Sequence, residues 1–474
     1  MSELIERPSE VQINAWTGET APRDKLPSKT SWAQQERLSG RIQWLAPAVP
    51  ADERDWRHPD LGWGLVLPDD DSVGAAAKAA GEDAPEPIQK LLRSRPNSPV
   101  LRYRGDLQQR YLRRYYPNRA PQDLSVQAPR PGLGEGRVPQ YLLIYATPEE
   151  IPWPVQYALN MSTFVGRLDL GRRPGETQAL ENYVTALVSD WEGQTCAPAK
   201  PVVWSTDHGS NDITRLMGQA IAENVWKKFQ QDPDFKDGVR LDGANATGAA
   251  LAAALAERTP GLVVTTSHGM TGPLDNKAGL LAHLGDLVDA QFKPLGASQL
   301  AAWNPCGAIW YAHACCAAGS DEESRYKGLM PDTSPIGTLL NGVAAAAGAT
   351  IAPLPRALLG LERPLRAFVG HVEPTFDWTL RDPANKQVVT HVLQAALYER
   401  LFQQDRRTPI GYALQDVYKE AGTFYGAWQD AVKGINSNIP GMRDWALYRQ
   451  LAAMDRQTLV IIGDPTVCLP LLQV

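Results

Sequence analysis

Two short apolar runs organise the chain, one at each end of residues 261–320. Leu262-Val263-Val264-Thr265-Thr266 is an apolar, β-branched run that ends in Ser267-His268-Gly269. Ala308-Ile309-Trp310-Tyr311-Ala312 is a second run, and it ends in His313-Ala314-Cys315-Cys316. Short runs of this kind, bounded by turn-rich sequence, predict buried strands. Further strands are predicted at 202–205, 239–241, 367–371 and 458–462, the last closed by Gly463-Asp464-Pro465. Helices are predicted at 213–230, 247–258, 337–347, 387–404 and 444–453, and a Gly- and Leu-rich insert fills 271–303. Strand and helix in alternation imply right-handed parallel crossovers, hence an α/β protein with a mostly parallel sheet.

The pattern is weaker towards the amino terminus. Residues 1–40 are polar, without sustained periodicity, and are expected to form an arm, extended or docked on something else. Strands are predicted at 63–67 and 141–145, and helices at 75–80, 107–116 and 176–191. Thr147-Pro148-Glu149-Glu150 carries a helix-start signal that Pro152 and Pro154 are expected to cut short. The Pro-rich stretch 194–201 is the expected joint, which divides the chain into an arm (1–40), a smaller α/β region (41–195) and a second α/β domain (196–474). No internal repeat at a fixed period is found.

Composition changes the picture only by exclusion. In 474 residues, 21% are charged, the net charge is −6 and the pI is near 5.8, which gives no reason to expect nucleic acid or an anionic membrane as the main partner. The chain has no apolar stretch of membrane-spanning length, and its first residues lack the basic start and apolar core of a secretory signal. The five cysteines, Cys196, Cys306, Cys315, Cys316 and Cys468, are too few and too unevenly placed for a disulfide framework. A reducing cytoplasm is therefore the expected location, where a free thiol survives.

Two of the predicted strands end in residues that can do chemistry, and the carboxyl ends of strands are where open α/β sheets keep their sites. A thiol with a neighbouring imidazole can attack a carbonyl carbon, and the imidazole can then protonate the leaving amine. This pattern makes Cys315 the candidate nucleophile and His268 the candidate general acid and base. The N–H groups of Gly269 and Cys315 are the candidate oxyanion donors, since a glycine lets its backbone approach substrate. Asp207, Asp212, Glu373, Asp377 and Trp378 are candidates for a substrate pocket, each also readable as an ordinary loop residue. Alternation along a strand would send Cys315 and Cys316 to opposite faces, one to react and one to the core.

Ser-His-Gly at one strand end and His-Ala-Cys at the next resemble the caspase-like clan of cysteine peptidases. Cys315 lies 47 residues after His268, close to the roughly 50 that separate the caspase pair. Within the clan, Val165-Gly166-Arg167 and Ile462-Gly463-Asp464-Pro465-Thr466 are similar to segments of the gingipain and CHAT types, and the likeness extends over about 140–470. The resemblance implies a three-layer αβα sandwich and peptide-bond hydrolysis through a thioester on Cys315, without a cofactor or metal. It also implies a protein or peptide substrate, with a bacterial defence-system partner such as a gasdermin-type pore former as one class. The resemblance also makes His313 a candidate pocket residue, since it stands where the clan often has an acidic or amide residue, so Arg or Lys specificity is not expected. The competing expectation is a caspase-fold binding or scaffold protein that has lost the chemistry. A metal site built from His268, His313, Cys315 and Cys316 is disfavoured, because adjacent cysteines are poor zinc ligands.

Overall fold

A computed structural model describes residues 10–25, 51–107 and 109–472 of the chain. Twelve strands form one sheet. From edge to edge these begin at Val239, Val202, Leu262, Ile309, Ala367, Leu459, Phe164, Tyr141, Trp63, Val100, Tyr111 and Arg119. Neighbours are parallel except where Leu459–Gly463 meets Ala367–His371 and along the edge made by Tyr111–Tyr116 and Arg119–Ser125. The central strands are buried along their length, as a sheet covered on both faces requires. The class is α/β with a large, mostly parallel sheet, as the alternation of elements predicts.

The sheet consists of two parallel blocks. The histidine strand (Leu262–Thr266) and the cysteine strand (Ile309–His313) are neighbours in one block, with Thr266 opposite His313. Leu459–Gly463 joins this block to the other by pairing antiparallel with Ala367–His371 and parallel with Phe164–Leu168. The sheet thus continues across the 194–201 joint. There the Cys196 N–H donates to the Cys306 carbonyl at 3.1 Å, and the Cys196 thiol faces the Gly307 carbonyl at 3.3 Å. Gly166 is pressed against the seam, since a Cβ at that position would lie 1.9 Å from the Gly463 carbonyl oxygen.

Four local expectations need correction. The helix expected over 107–116 gives way to a strand, Tyr111–Tyr116, that returns through Pro117-Asn118 into Arg119–Ser125. Aromatic residues beside a Pro-Asn turn signal outweighed the apparent helical period. The helix expected from Thr147 begins instead at Trp153. Thr147 and Glu150 do exchange capping-type hydrogen bonds, but these close only a turn. Pro152 and Pro154 start the helix rather than stop it, because a first turn loses no hydrogen bond to proline. The 387–404 region is helical only over His391–Arg400, with a wider π turn at its end, and Met442–Thr458 is longer than the period shows. A 22-residue helix, Gln415–Asn436, packs against Met442–Thr458 and was not foreseen.

The arm is docked where it is described. Glu10–Gln12 pairs antiparallel with Arg23–Lys25, and Ala15–Trp16 forms the edge of a small sheet with Gly269–Met270, Leu287–Val288 and Pro294–Leu295. The remainder of the 1–40 arm lies outside the described residues. No helix among the described residues is long and apolar enough to cross a membrane.

Candidate active site

His268 and Cys315 each sit two residues beyond a directly opposed pair, Thr266 and His313, at the same end of adjacent parallel strands. Sheet geometry alone therefore brings the two segments together. Gly269 presses against the cysteine backbone so closely that a Cβ would lie 2.0 Å from the Cys315 carbonyl oxygen and 2.9 Å from the Cys315 nitrogen. Only glycine fits there, so this position brings the Gly269 backbone against that of Cys315, as the two candidate oxyanion donors require.

Asp212 supplies an element that the sequence reading assigned elsewhere. Expected as a pocket residue, it places Oδ2 3.0 Å from His268 Nε2. Its other oxygen caps the helix Ile213–Met217 by accepting the Thr214 N–H at 2.8 Å. Burial alone would raise the Asp212 pKa; the hydrogen bonds from His268 and Thr214 outweigh it and hold the carboxyl well below the usual range. An ionised carboxylate can only accept, so Nε2 is a nitrogen that carries a proton. His268 Nδ1 has no hydrogen-bond partner among the described residues and is buried. It is the nitrogen left to exchange a proton.

The cysteine is shut away. Cys315 and His268 are both 0% exposed. Burial pushes the Cys315 thiol pKa up, against the pull of the Thr375 N–H, which reaches Sγ at 3.3 Å. Cys316 is buried as well, with φ +55° and its thiol also raised, so both neighbours pack inward in the same apolar cluster rather than dividing between faces.

The other candidates are dispersed. His313 packs edge-on against His371 with ring centroids 5.0 Å apart and meets the Tyr311 hydroxyl at 2.9 Å; burial, then His371, lowers its pKa to about 3. Glu373 is buried and accepts the Ser324 hydroxyl at 2.8 Å and the Arg325 N–H at 2.7 Å, which ties down the loop after the cysteine. Burial lifts its pKa to about 7. Asp207 is exposed and accepts the Gly209 N–H within its own turn. Asp377 accepts the N–H of Trp378, whose ring lies in the cluster that holds Cys315.

Residues outside the sequence-based set complete the site. His208 and Trp16 both stack on His268, with centroids 5.4 and 5.6 Å away, and Phe292 stacks on His208 at 4.2 Å. His208, Asp212 and His268 bring potential metal-ligand atoms within 4.8 Å of one another, a donor set that suits zinc. A tryptophan isolated in a polar arm, and an Asp directly before a helix that follows a strand, were the available signals for Trp16 and Asp212. Comparison of the chain with protein-family models, with curated proteins and with solved structures finds no match in any of the three.

Proposed function

We propose that this chain is a cysteine endopeptidase of caspase-like, three-layer architecture. The observation that carries the reading is the Asp212–His268 pair at the end of one strand, with Cys315 in register at the end of the next and the Gly269 backbone against it. In this mechanism His268 Nδ1 takes the Cys315 thiol proton as Sγ bonds to the substrate carbonyl carbon, and the N–H groups of Gly269 and Cys315 receive the developing oxyanion. The C–N bond breaks as His268 gives its proton to the leaving amine. A water then loses a proton to His268 and its oxygen attacks the thioester, and the carboxylate product leaves with the thiol restored. Asp212 holds the imidazole in the required tautomer throughout. A cytoplasmic setting and a protein substrate, including a partner in bacterial defence, belong to this reading.

The full burial of Cys315 favours the competing reading, a binding protein without chemistry. A thiol-reactive peptide probe and a mixed peptide library, applied to the chain with the docked segment 10–25 released, separate the two. Labelling and cleavage that vanish in Cys315→Ala and persist in Cys316→Ala support the peptidase; cleavage that survives in Cys315→Ala removes it. Loss in Cys316→Ala alone moves the nucleophile by one residue.

A further inference from the structure

If Cys315 and His268 act as proposed above, on which this inference rests, a substrate must reach them as an extended peptide between Gly269 and Thr375. That place is taken. Residue 14 is bonded to the immediate neighbours of the reacting groups through its backbone N–H and its side-chain NH2, while its side-chain oxygen is buried without a hydrogen-bond partner among the described residues. The Asn14 N–H donates to the Thr375 carbonyl at 2.8 Å, and the Thr375 N–H in turn meets Cys315 Sγ. The Asn14 side-chain amide donates to the Ser267 carbonyl, one residue before His268, at 2.7 Å. Ala15 is opposite Gly269 and Trp16 opposite Met270 in a parallel ladder, and the Thr271 N–H goes to the Trp16 carbonyl at 3.0 Å. The alternation of a parallel ladder then directs the Gly269 N–H, the candidate oxyanion donor, to the Asn14 carbonyl.

The flanking residues follow the same logic. Ile13 bridges Phe376 in antiparallel fashion, so the segment is paired on both edges, as a peptide added to a sheet would be. Val11 and Ile13 are buried in the apolar cluster that contains Cys315, Phe376 and Trp378. On the other side of the Asn14–Ala15 bond, Trp16 stacks on His268, the group that would protonate the Ala15 nitrogen.

We propose that residues 10–25 are a substrate-like plug, with Asn14 in the position of the residue whose carbonyl Cys315 attacks. By the same contacts the open cleft takes an extended peptide with a carboxamide side chain at that position and apolar side chains one and three places before it. The plug is braced as a hairpin. Ile13 N–H reaches the Pro22 carbonyl at 3.2 Å, Asp24 Oδ2 accepts the Ile336 N–H at 2.9 Å, and Arg23 reaches the Asn211 carbonyl at 3.1 Å. Strands held on both sides of Asn14–Ala15 keep the new ends together after any cut, so the cleft stays filled until the hairpin is pulled out.

The test uses the full chain in three forms: unaltered, with Ile13→Asp and Trp16→Ala together, and with a recognition sequence for an unrelated added protease in the exposed Gly18–Glu19 turn. The last leaves every buried side chain in place, so a folding defect in the double variant cannot decide the result. Two reagents report on Cys315: iodoacetamide, which reads access alone, and peptidyl ketones ending in Asn, Asp or Arg, which read substrate-like binding. Both reagents should modify Cys315 about tenfold or more faster once the hairpin is displaced or cut, with the Asn ketone fastest. Equal rates in all three forms overturn the plug, and an Asp or Arg ketone faster than the Asn one overturns the role given to Asn14. Faster iodoacetamide modification with no ketone reaction and no peptide cleavage overturns the peptidase reading and the substrate assignment with it, while still locating the cover.

Discussion

A carboxylate before a helix is ordinarily explained by its cap, and Asp212 does cap one, yet its second oxygen is spent on His268. The two duties separate by substitution. Asp212→Asn keeps an oxygen for the Thr214 N–H but lets the amide present a donor to Nε2, which favours the wrong imidazole tautomer. Its kcat against a peptide cleaved by the unplugged chain should fall by about 10²–10⁴-fold with the melting temperature nearly unchanged. An equal loss of stability and activity would instead make Asp212 a purely structural residue. The cluster of His208, Asp212 and His268 makes a second expectation: added zinc should inhibit by taking the lone pair of His268, a chelator should reverse it, and Asp212→Asn should weaken the inhibition.

Among the elements, those with a strong local period were legible from the sequence, and those fixed by distant partners were not. Leu262–Thr266 and Ile309–His313 are short, β-branched or aromatic runs bounded by turn residues, which marked them as buried strands and put His268 and Cys315 at their ends. Trp16 and Asn14 were missed because an arm of polar residues carries no period, and their positions come from pairing with Met270 and Thr375, more than 250 residues away. The helix Gln415–Asn436 has scattered glycines at Gly422, Gly426 and Gly434 that read as breakers; packing against Met442–Thr458 overrides them, and Gly434 faces Met442 closely. Close approach also marks Gly269. Gly269→Ala should abolish peptide cleavage by forcing a methyl group into the Cys315 carbonyl, whereas Gly426→Ala, with open space around it, should leave cleavage intact and add slightly to helix stability, both read by activity and thermal melting.

At the scale of the molecule, the two sheet blocks are fastened by Asp464. It accepts the Trp63 indole N–H at 2.9 Å and an Arg95 N–H at 3.1 Å, both from the amino-terminal block, while its own N–H donates to the Tyr183 hydroxyl at 2.8 Å. Arg95 is buried, and burial lowers its pKa despite this carboxylate. Asp464→Ala would strand that cation, at a cost of about 3–5 kcal/mol in denaturant unfolding. A second global handle is Glu373, whose pKa rises from 4.5 unfolded to about 7 when folded. The folded state binds this proton more tightly, so the contribution is fully present below pH 4.5 and is lost as pH climbs through about 7. Glu373→Gln should therefore gain stability relative to the unaltered chain across that window, by on the order of 3 kcal/mol at most; a difference independent of pH would refute the assignment.

The position of Leu459–Gly463 between Ala367–His371 and Phe164–Leu168 also bears on how the protein is made. While the chain is still on the ribosome, each block can pair its own strands, but the seam between them stays open until residue 463 has emerged. The edge of Phe164–Leu168 waits unpaired for more than half of synthesis and that of Ala367–His371 for the last part of it, and such edges invite pairing with other chains. Nascent chains halted before residue 459 should need chaperones that hold the two edges apart, and full sheet protection in hydrogen exchange should arrive only with the last strand.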